Sequence, residues 1–148
     1  EHRRRLGLNS ILPVAMDGRA CTFRRLADRV LVDAPCSGLG TIARRTELRW
    51  RRTPEDIAAL QEIQTALLEH SARLVKPDGV IVYSTCTIEP EENEDIVRAF
   101  CGRHTEFSID APSDGPVAGL VNDQGMIQTL PSVQGVDGSF AVRLRRVR

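Results

Sequence analysis

Two cysteines stand just beyond short apolar runs, each among small, polar or turn-forming residues. The first ends Arg29-Val-Leu-Val-Asp33-Ala-Pro35-Cys36-Ser-Gly38, and the second ends Gly79-Val-Ile-Val-Tyr-Ser84-Thr85-Cys86-Thr87. A thiolate is a strong nucleophile, and a nearby helix N-terminus lowers a thiol pKa. Such a helix start follows Cys86 at Glu89-Pro90-Glu91-Glu92-Asn93. Pro35 has no amide hydrogen, so a strand ladder must end there and the chain must turn, exposing Asp33 and Cys36. Ligands of open parallel sheets bind outside the carboxyl ends of the strands. Two neighbouring strands that each deliver a thiol to that edge therefore suggest a site. The plainer alternatives are a buried strand-end thiol acting as a small hydrophobe and an incidental cysteine in a structural turn. Cys21 and Cys101 fit that plain reading, Cys101 on an apolar helix face.

Other groups are weaker on their own. Asp17 follows the apolar run Ile11–Met16 and could accept hydrogen bonds from a ligand at the same edge, although Asp-Gly is also a turn signal. Arg44, Arg45, Arg49, Arg51 and Arg52 surround the lone Trp50. Such a segment can contact phosphates and stack a base, or it can be a solvated basic loop. Ser37-Gly38-Leu39-Gly40 lacks both the lysine of a P-loop and the dinucleotide glycine spacing. No Cys/His spacing suits zinc, so no metal site is expected.

The elements that must carry these groups follow from periodicity. Ile11–Met16 predicts a strand. Residues 29–33 and 80–83 read as strands that helices cover on both faces. Thr53-Pro54-Glu55-Asp56 is a capped helix start, and apolar spacing carries that helix to about Val75, where Pro77-Asp78-Gly79 stops it. A second helix opens at Glu89 and ends at Gly102. Residues 106–110 form a weak strand, and 111–138 read as an extended loop. Ser139–Arg146 alternates as a strand with one solvated face, placed at an edge. Strand–helix alternation gives an α/β class with right-handed crossovers.

At 148 residues, with 41% hydrophobic and 27% charged residues, the chain has the size and composition of one soluble domain. No apolar run nears the ~20 residues of a membrane span, and the N-terminus lacks a secretory h-region. The formal net charge is zero and all but one of the twenty basic residues are Arg, so the clustering of charge matters more than its total. Four widely spaced cysteines without secretory context fit reduced thiols in a cytoplasm.

The Asp33-Ala-Pro35-Cys36-Ser-Gly38 and Ser84-Thr85-Cys86-Thr87 motifs, with Glu89-Pro90-Glu91-Glu92-Asn93, resemble the RNA cytosine-5 methyltransferases of the Sun/Nop2 family. Gly40-Thr-Ile-Ala-Arg-Arg, Leu48-Arg-Trp50 and the late Asp137-Gly138-Ser-Phe140 match in order, and the bacterial ribosomal-RNA branch is the nearest likeness. The resemblance implies a Rossmann-like S-adenosylmethionine-dependent methyltransferase fold with a mixed, mainly parallel sheet. It implies Cys86 as nucleophile at cytosine carbon 6 and Cys36 as the thiol that aids adduct release. Asp33 would touch the cofactor and the base, Asp17 would lie near the cofactor adenine, and Arg44, Arg45, Arg49 and Trp50 would meet RNA. The family's glycine-rich cofactor motif has no counterpart here. Residues 1–148 are therefore expected to be the C-terminal part of one catalytic domain, inactive alone, with an exposed sheet edge open to self-association. The competing readings are a DNA cytosine-5 methyltransferase attacking through Cys36, a non-catalytic RNA-binding module, and redox pairing of Cys36 with Cys86.

Overall fold

The computed structural model describes residues 2–147. In chain order these form α1 (His2–Arg5), β1 (Ala27–Asp33), α2 (Leu48–Arg51), α3 (Pro54–Ala72), β2 (Val75–Thr85), α4 (Glu94–Arg103), β3 (Phe107–Ile109), β4 (Ile127–Thr129), α5 (Pro131–Gln134) and β5 (Ser139–Arg146). The strands make one mixed sheet in the order β1-β2-β5-β3, with β4 also on β5. Parallel pairing, expected throughout most of the sheet, is confined to β1 and β2. All three pairings of β5 are antiparallel.

The crossover from β1 to β2 runs through α3. Its start is a complete capping box: the Thr53 hydroxyl accepts from the Asp56 amide, and the Asp56 carboxyl accepts from the Thr53 amide. The helix ends at Ala72 and β2 is already under way at Val75, earlier than a Pro-Asp-Gly stop would allow. The register explains this. Ala27 pairs with Val75 but Arg29 pairs with Val80, so residues 76–79 bulge out of the strand rather than ending the helix. Asp78 takes φ 61° there. A Cβ on Gly79 would lie 2.6 Å from Val75 Cγ2 and 2.9 Å from the Asp28 carbonyl, so only glycine closes the bulge.

Helices α3 and α4 pack on one face of the sheet. Leu68, Ile96, Val97 and Phe100 meet Ile81, Tyr83, Phe140, Val142 and Leu144, all buried. Phe100 sits edge-on to Phe107, with ring centroids 5.2 Å apart. The other face is not covered by a helix among the described residues, contrary to the reading of β1 and β2 as doubly covered strands: Leu31 is 70% exposed. An apolar run signals a buried strand, but it cannot say which segment does the burying.

Three further expectations change. Residues 11–16 form no strand, and Ile11, Leu12, Val14 and Met16 are exposed. An apolar run becomes a strand only where a sheet edge pairs with it, and among the described residues none pairs here. The strand at 139–146 has the expected bounds but lies in the middle of the sheet, its alternation arising from helices on one face only. The 111–138 segment is not a plain loop, because β4 and α5 fold back onto β5. The strand at 107–109 forms as expected. No helix among the described residues is long and apolar enough to cross a membrane.

Candidate active site

The site is made where β1 and β2 end side by side. Asp33 pairs with Ser84 across the ladder, the Ala34 amide donates to the Ser84 carbonyl (2.9 Å), and the chain leaves the sheet at Pro35. Cys36 and Cys86 follow, and their sulfurs come within 3.3 Å. The Cys86 amide also donates to Cys36 Sγ at 3.3 Å. Both are free thiols, Cys36 half-buried and Cys86 exposed. Burial, with the neighbouring Cys86 sulfur adding to it, pushes the Cys36 thiol up to about 12. Cys36 thus holds its proton at neutral pH, and either sulfur can be the donor across the 3.3 Å contact. The helix start expected close behind Cys86 begins only at Glu94; Pro90–Glu92 form a single tight turn before it.

That turn holds site residues that the sequence pattern did not single out. Glu92 and Asn93 point inward and are fully buried, as are Ser37, Thr87 and Gln64. The Glu92 carboxyl accepts from the Ser37 amide (2.8 Å), from the Ser37 hydroxyl, and from Gln64 Nε2 (2.9 Å). Gln64 donates as well to the Pro35 carbonyl at 2.9 Å. Ser37 and Thr87 hydroxyls lie 2.9 Å apart. Asn93 accepts from the Thr85 hydroxyl (2.6 Å) and donates to the Thr87 carbonyl (3.1 Å), while the Tyr83 hydroxyl donates to the Glu92 carbonyl at 2.7 Å. The available signals were a glutamine on the apolar face of α3 and a Ser or Thr directly after each cysteine.

A glycine contact closes the back of the site. The Gly40 amide donates to the Cys86 carbonyl (3.1 Å) and the Gly138 amide to the Gly40 carbonyl (2.8 Å). A Cβ on Gly40 would collide with the Gly138 carbonyl and come within 2.8 Å of the Cys86 carbonyl.

The other expected residues are placed less closely. The Asp33 carboxyl accepts from the Ser84 hydroxyl at 3.2 Å and faces solvent. It borders a shallow groove of about 300 Å³ lined also by Gly18, Cys21 and Val30–Val32. Asp17 precedes that groove, but its own carboxyl is held by Arg19 (2.8 Å), whose guanidinium and amide keep it down to about 2. Arg44 forms an ion pair with Asp137 (3.2 Å), and Arg45, Arg49 and the 85%-exposed Trp50 stand in solvent on the loop around α2. Arg52, one of the basic cluster, donates to the Ser37 carbonyl at 2.9 Å and ties this loop to the cysteine turn. Among the described residues no cluster of three or more His, Cys, Asp or Glu could hold a metal.

The mixed sheet, with two thiols and an acid at the carboxyl ends of its parallel pair, has the Rossmann-like methyltransferase fold of the solved structures it superposes on. Residues 1–145 match the family model described as 16S rRNA methyltransferase RsmB/F, and the chain belongs to that family. It is 41% identical to the probable ribosomal RNA small subunit methyltransferase B of Bacillus subtilis (strain 168), over 96% of this chain and 33% of that protein. Identity to ribosomal RNA small subunit methyltransferase B of Thermus thermophilus is 43%, over 82% of this chain and 30% of the other. The crystal structure of NSun6 from Pyrococcus horikoshii with SFG superposes with a TM-score of 0.82 at 31% identity, covering 99% of this chain and 37% of that one. The chain thus spans about a third of the length of the curated relatives it matches.

Proposed function

We propose that the chain is the C-terminal part of the catalytic domain of an S-adenosylmethionine-dependent methyltransferase that acts on carbon 5 of a cytosine in ribosomal RNA, in a cytoplasm. The observation that carries this reading is the asymmetry of the thiol pair. Cys86 is exposed at the strand end, and Cys36, 3.3 Å behind it, is half-buried, where burial pushes its thiol up to about 12.

Carbon 5 of cytosine is a poor nucleophile. Addition of the Cys86 sulfur to carbon 6 makes the ring enamine-like, so that carbon 5 can take a methyl group. The cofactor supplies that methyl as a sulfonium. The residues present fit one side of such a ligand: the largely apolar outer edge of β1, Val30–Val32, ending in Asp33, with Gly18 also lining the groove. Asp17 would reach it by exchanging its Arg19 contact. Release then has to remove the carbon-5 proton, re-form the ring double bond and break the carbon–sulfur bond. The carbon-5–hydrogen bonding pair re-forms the ring double bond as the carbon-6–sulfur pair leaves on Cys86, and Cys36 relays the proton in the same step, taking it from carbon 5 while giving its own to the departing Cys86 sulfur. Arg45, Arg49 and Trp50, all exposed, are the groups offered to phosphates and an unstacked base, with Arg44 available once it leaves Asp137.

The test is covalent trapping on RNA in the full-length protein to which the reading assigns this chain. Cys86→Ala is expected to abolish the adduct, and Cys36→Ala to let it accumulate. The opposite pattern, with Cys36 required for attack, would support the DNA-type assignment of the two thiols and overturn this one.

A further inference from the structure

The residue after each cysteine is a hydroxyl amino acid, and the two hydroxyls are bonded to each other out of solvent. Ser37 follows Cys36 and Thr87 follows Cys86; both side chains are wholly buried, and their oxygens lie 2.9 Å apart. Ser37 has one hydroxyl proton, and it goes to Glu92. Thr87 must then be the donor toward Ser37, and its own oxygen accepts from the Glu89 amide at 3.2 Å. The result is a directed chain, Glu89 amide to Thr87 to Ser37 to Glu92, in which each bond polarises the next.

The end of that chain accepts without donating in return. Glu92 receives three donors: the Ser37 amide, the Ser37 hydroxyl and Gln64 Nε2. Both carboxyl oxygens are used as acceptors, whereas a glutamine would turn an NH₂ group toward at least one of those donors. Gln64 fixes the arrangement from α3 by donating also to the Pro35 carbonyl (2.9 Å), one residue before Cys36. None of these side-chain and backbone links involves a sulfur. Together they pin the chain on both sides of Cys36 and immediately after Cys86.

We propose that Glu92, with Ser37, Thr87 and Gln64, is a positioning clamp that holds the two thiols within reach of one reacting atom. The clamp sets the sulfur–sulfur distance from behind, leaving the solvent side of Cys86 open for substrate. Its use in RNA methylation rests on the function proposed above, but its effect on the thiol pair does not.

The distance can be read without substrate. Phenylarsine oxide condenses with two thiols that can reach one arsenic, forming two arsenic–sulfur bonds and releasing water. The 148-residue chain is expected to bind it tightly through Cys36 and Cys86, and Cys36→Ala or Cys86→Ala removes that binding. Thr87→Val and Ser37→Ala are expected to weaken it roughly ten- to a hundredfold, the scale of an ångström-sized misplacement. Thr87→Ser, which keeps the hydroxyl, restores it. Glu92→Gln is expected to act like Ser37→Ala; if it fails to fold, the Thr87→Val and Thr87→Ser pair still decides. Unchanged arsenical affinity in folded Thr87→Val and Ser37→Ala would overturn the clamp. In the full-length protein the same two variants are expected to accumulate RNA adduct, as Cys36→Ala does. Weakened arsenical binding with no adduct even in full-length Cys36→Ala would leave the clamp standing and refute the reaction instead.

Discussion

Cys36 gives the sharpest measurable consequence of the site. Its thiol is pushed from a reference of 9.0 up to about 12, first by burial and then by the adjoining Cys86 sulfur. At pH 8 about one molecule in ten thousand then carries the Cys36 thiolate, against about one in ten for a thiol at the reference value, a deficit of roughly a thousandfold. A more basic thiolate is also more nucleophilic. With a Brønsted slope of about 0.4–0.5, three units return a factor of roughly 16 to 32. The folded chain should therefore alkylate at Cys36 roughly 30- to 60-fold more slowly than the urea-unfolded chain, before any steric shielding. Iodoacetamide labelling followed by peptide mass spectrometry measures this. The decisive feature is the pH profile: Cys36 labelling in the folded chain should go on rising through about pH 10 and above without a plateau. Cys86→Ala should leave Cys36 slow, because burial is the leading cause. A plateau near the reference value of 9.0, or equal rates in the folded and unfolded chains, would refute the assignment of Cys36 as the protonated partner. The same shift predicts that this group's contribution to stability is complete below about pH 9 and is lost as pH rises toward about 12.

Other outcomes follow from particular contacts. Gly40→Ala places a methyl against the Gly138 and Cys86 carbonyls and should displace Cys86, lowering arsenical binding and activity together even where the melting curve shows a folded chain. Phe100→Ala removes a ring buried against Phe107 and His104 and should cost about 3–5 kcal/mol in denaturant unfolding. Thr53→Ala breaks the capping box of α3 and should cost about 1 kcal/mol. Burial alone would lower the His104 pKa, but hydrogen bonds to Glu69 and Glu106 hold it above the usual value. Its contribution to stability is therefore full below about pH 6.5 and fades as pH rises through the higher folded pKa; melting temperatures from about pH 5 to 9 should show this, and His104→Gln should flatten it.

The helix opening at Thr53-Pro54, the strands at 29–33, 80–83 and 139–146 and the weak strand at 106–110 were legible because each rests on a local signal: a helix cap, an apolar run or an alternation. The cysteine pair was legible for the same reason, since each motif sits at a strand end. What was hidden depends on pairing across the chain. The bulge at 76–79 mimics a helix stop, because Pro-Asp-Gly punctuates either structure, and only the register of β1 against β2 tells them apart. The central place of β5 could not be inferred from its alternation, which reports how many faces are covered and not how many neighbours a strand has. Glu92 read as an acid favouring a helix start, when its role is to accept three buried donors from Ser37 and Gln64. Asp17 read as an acceptor for a ligand at the sheet edge, yet its carboxyl is engaged by Arg19, its near neighbour in the chain.

The position of β5 also bears on how the molecule is made. The strand at the middle of the sheet is the last of the described strands to leave a ribosome. Before it arrives, and among the described residues, β2 has a strand partner on one side only, β3 has none, and β4 has only the single bridge of Ile127 to Val121. Phe140, Val142 and Leu144, a large share of the core, are withheld until then. A nascent chain stalled short of residue 139 would hold β1, α3 and β2 as a partial unit with an unsatisfied strand edge, the kind of species that chaperones engage. Both cysteines would already have been synthesised by that stage, while Gly138, which backs Gly40 and through it Cys86, arrives directly before β5. Synthesis of the thiols and completion of the fold that supports them are thus separated by about fifty residues of translation.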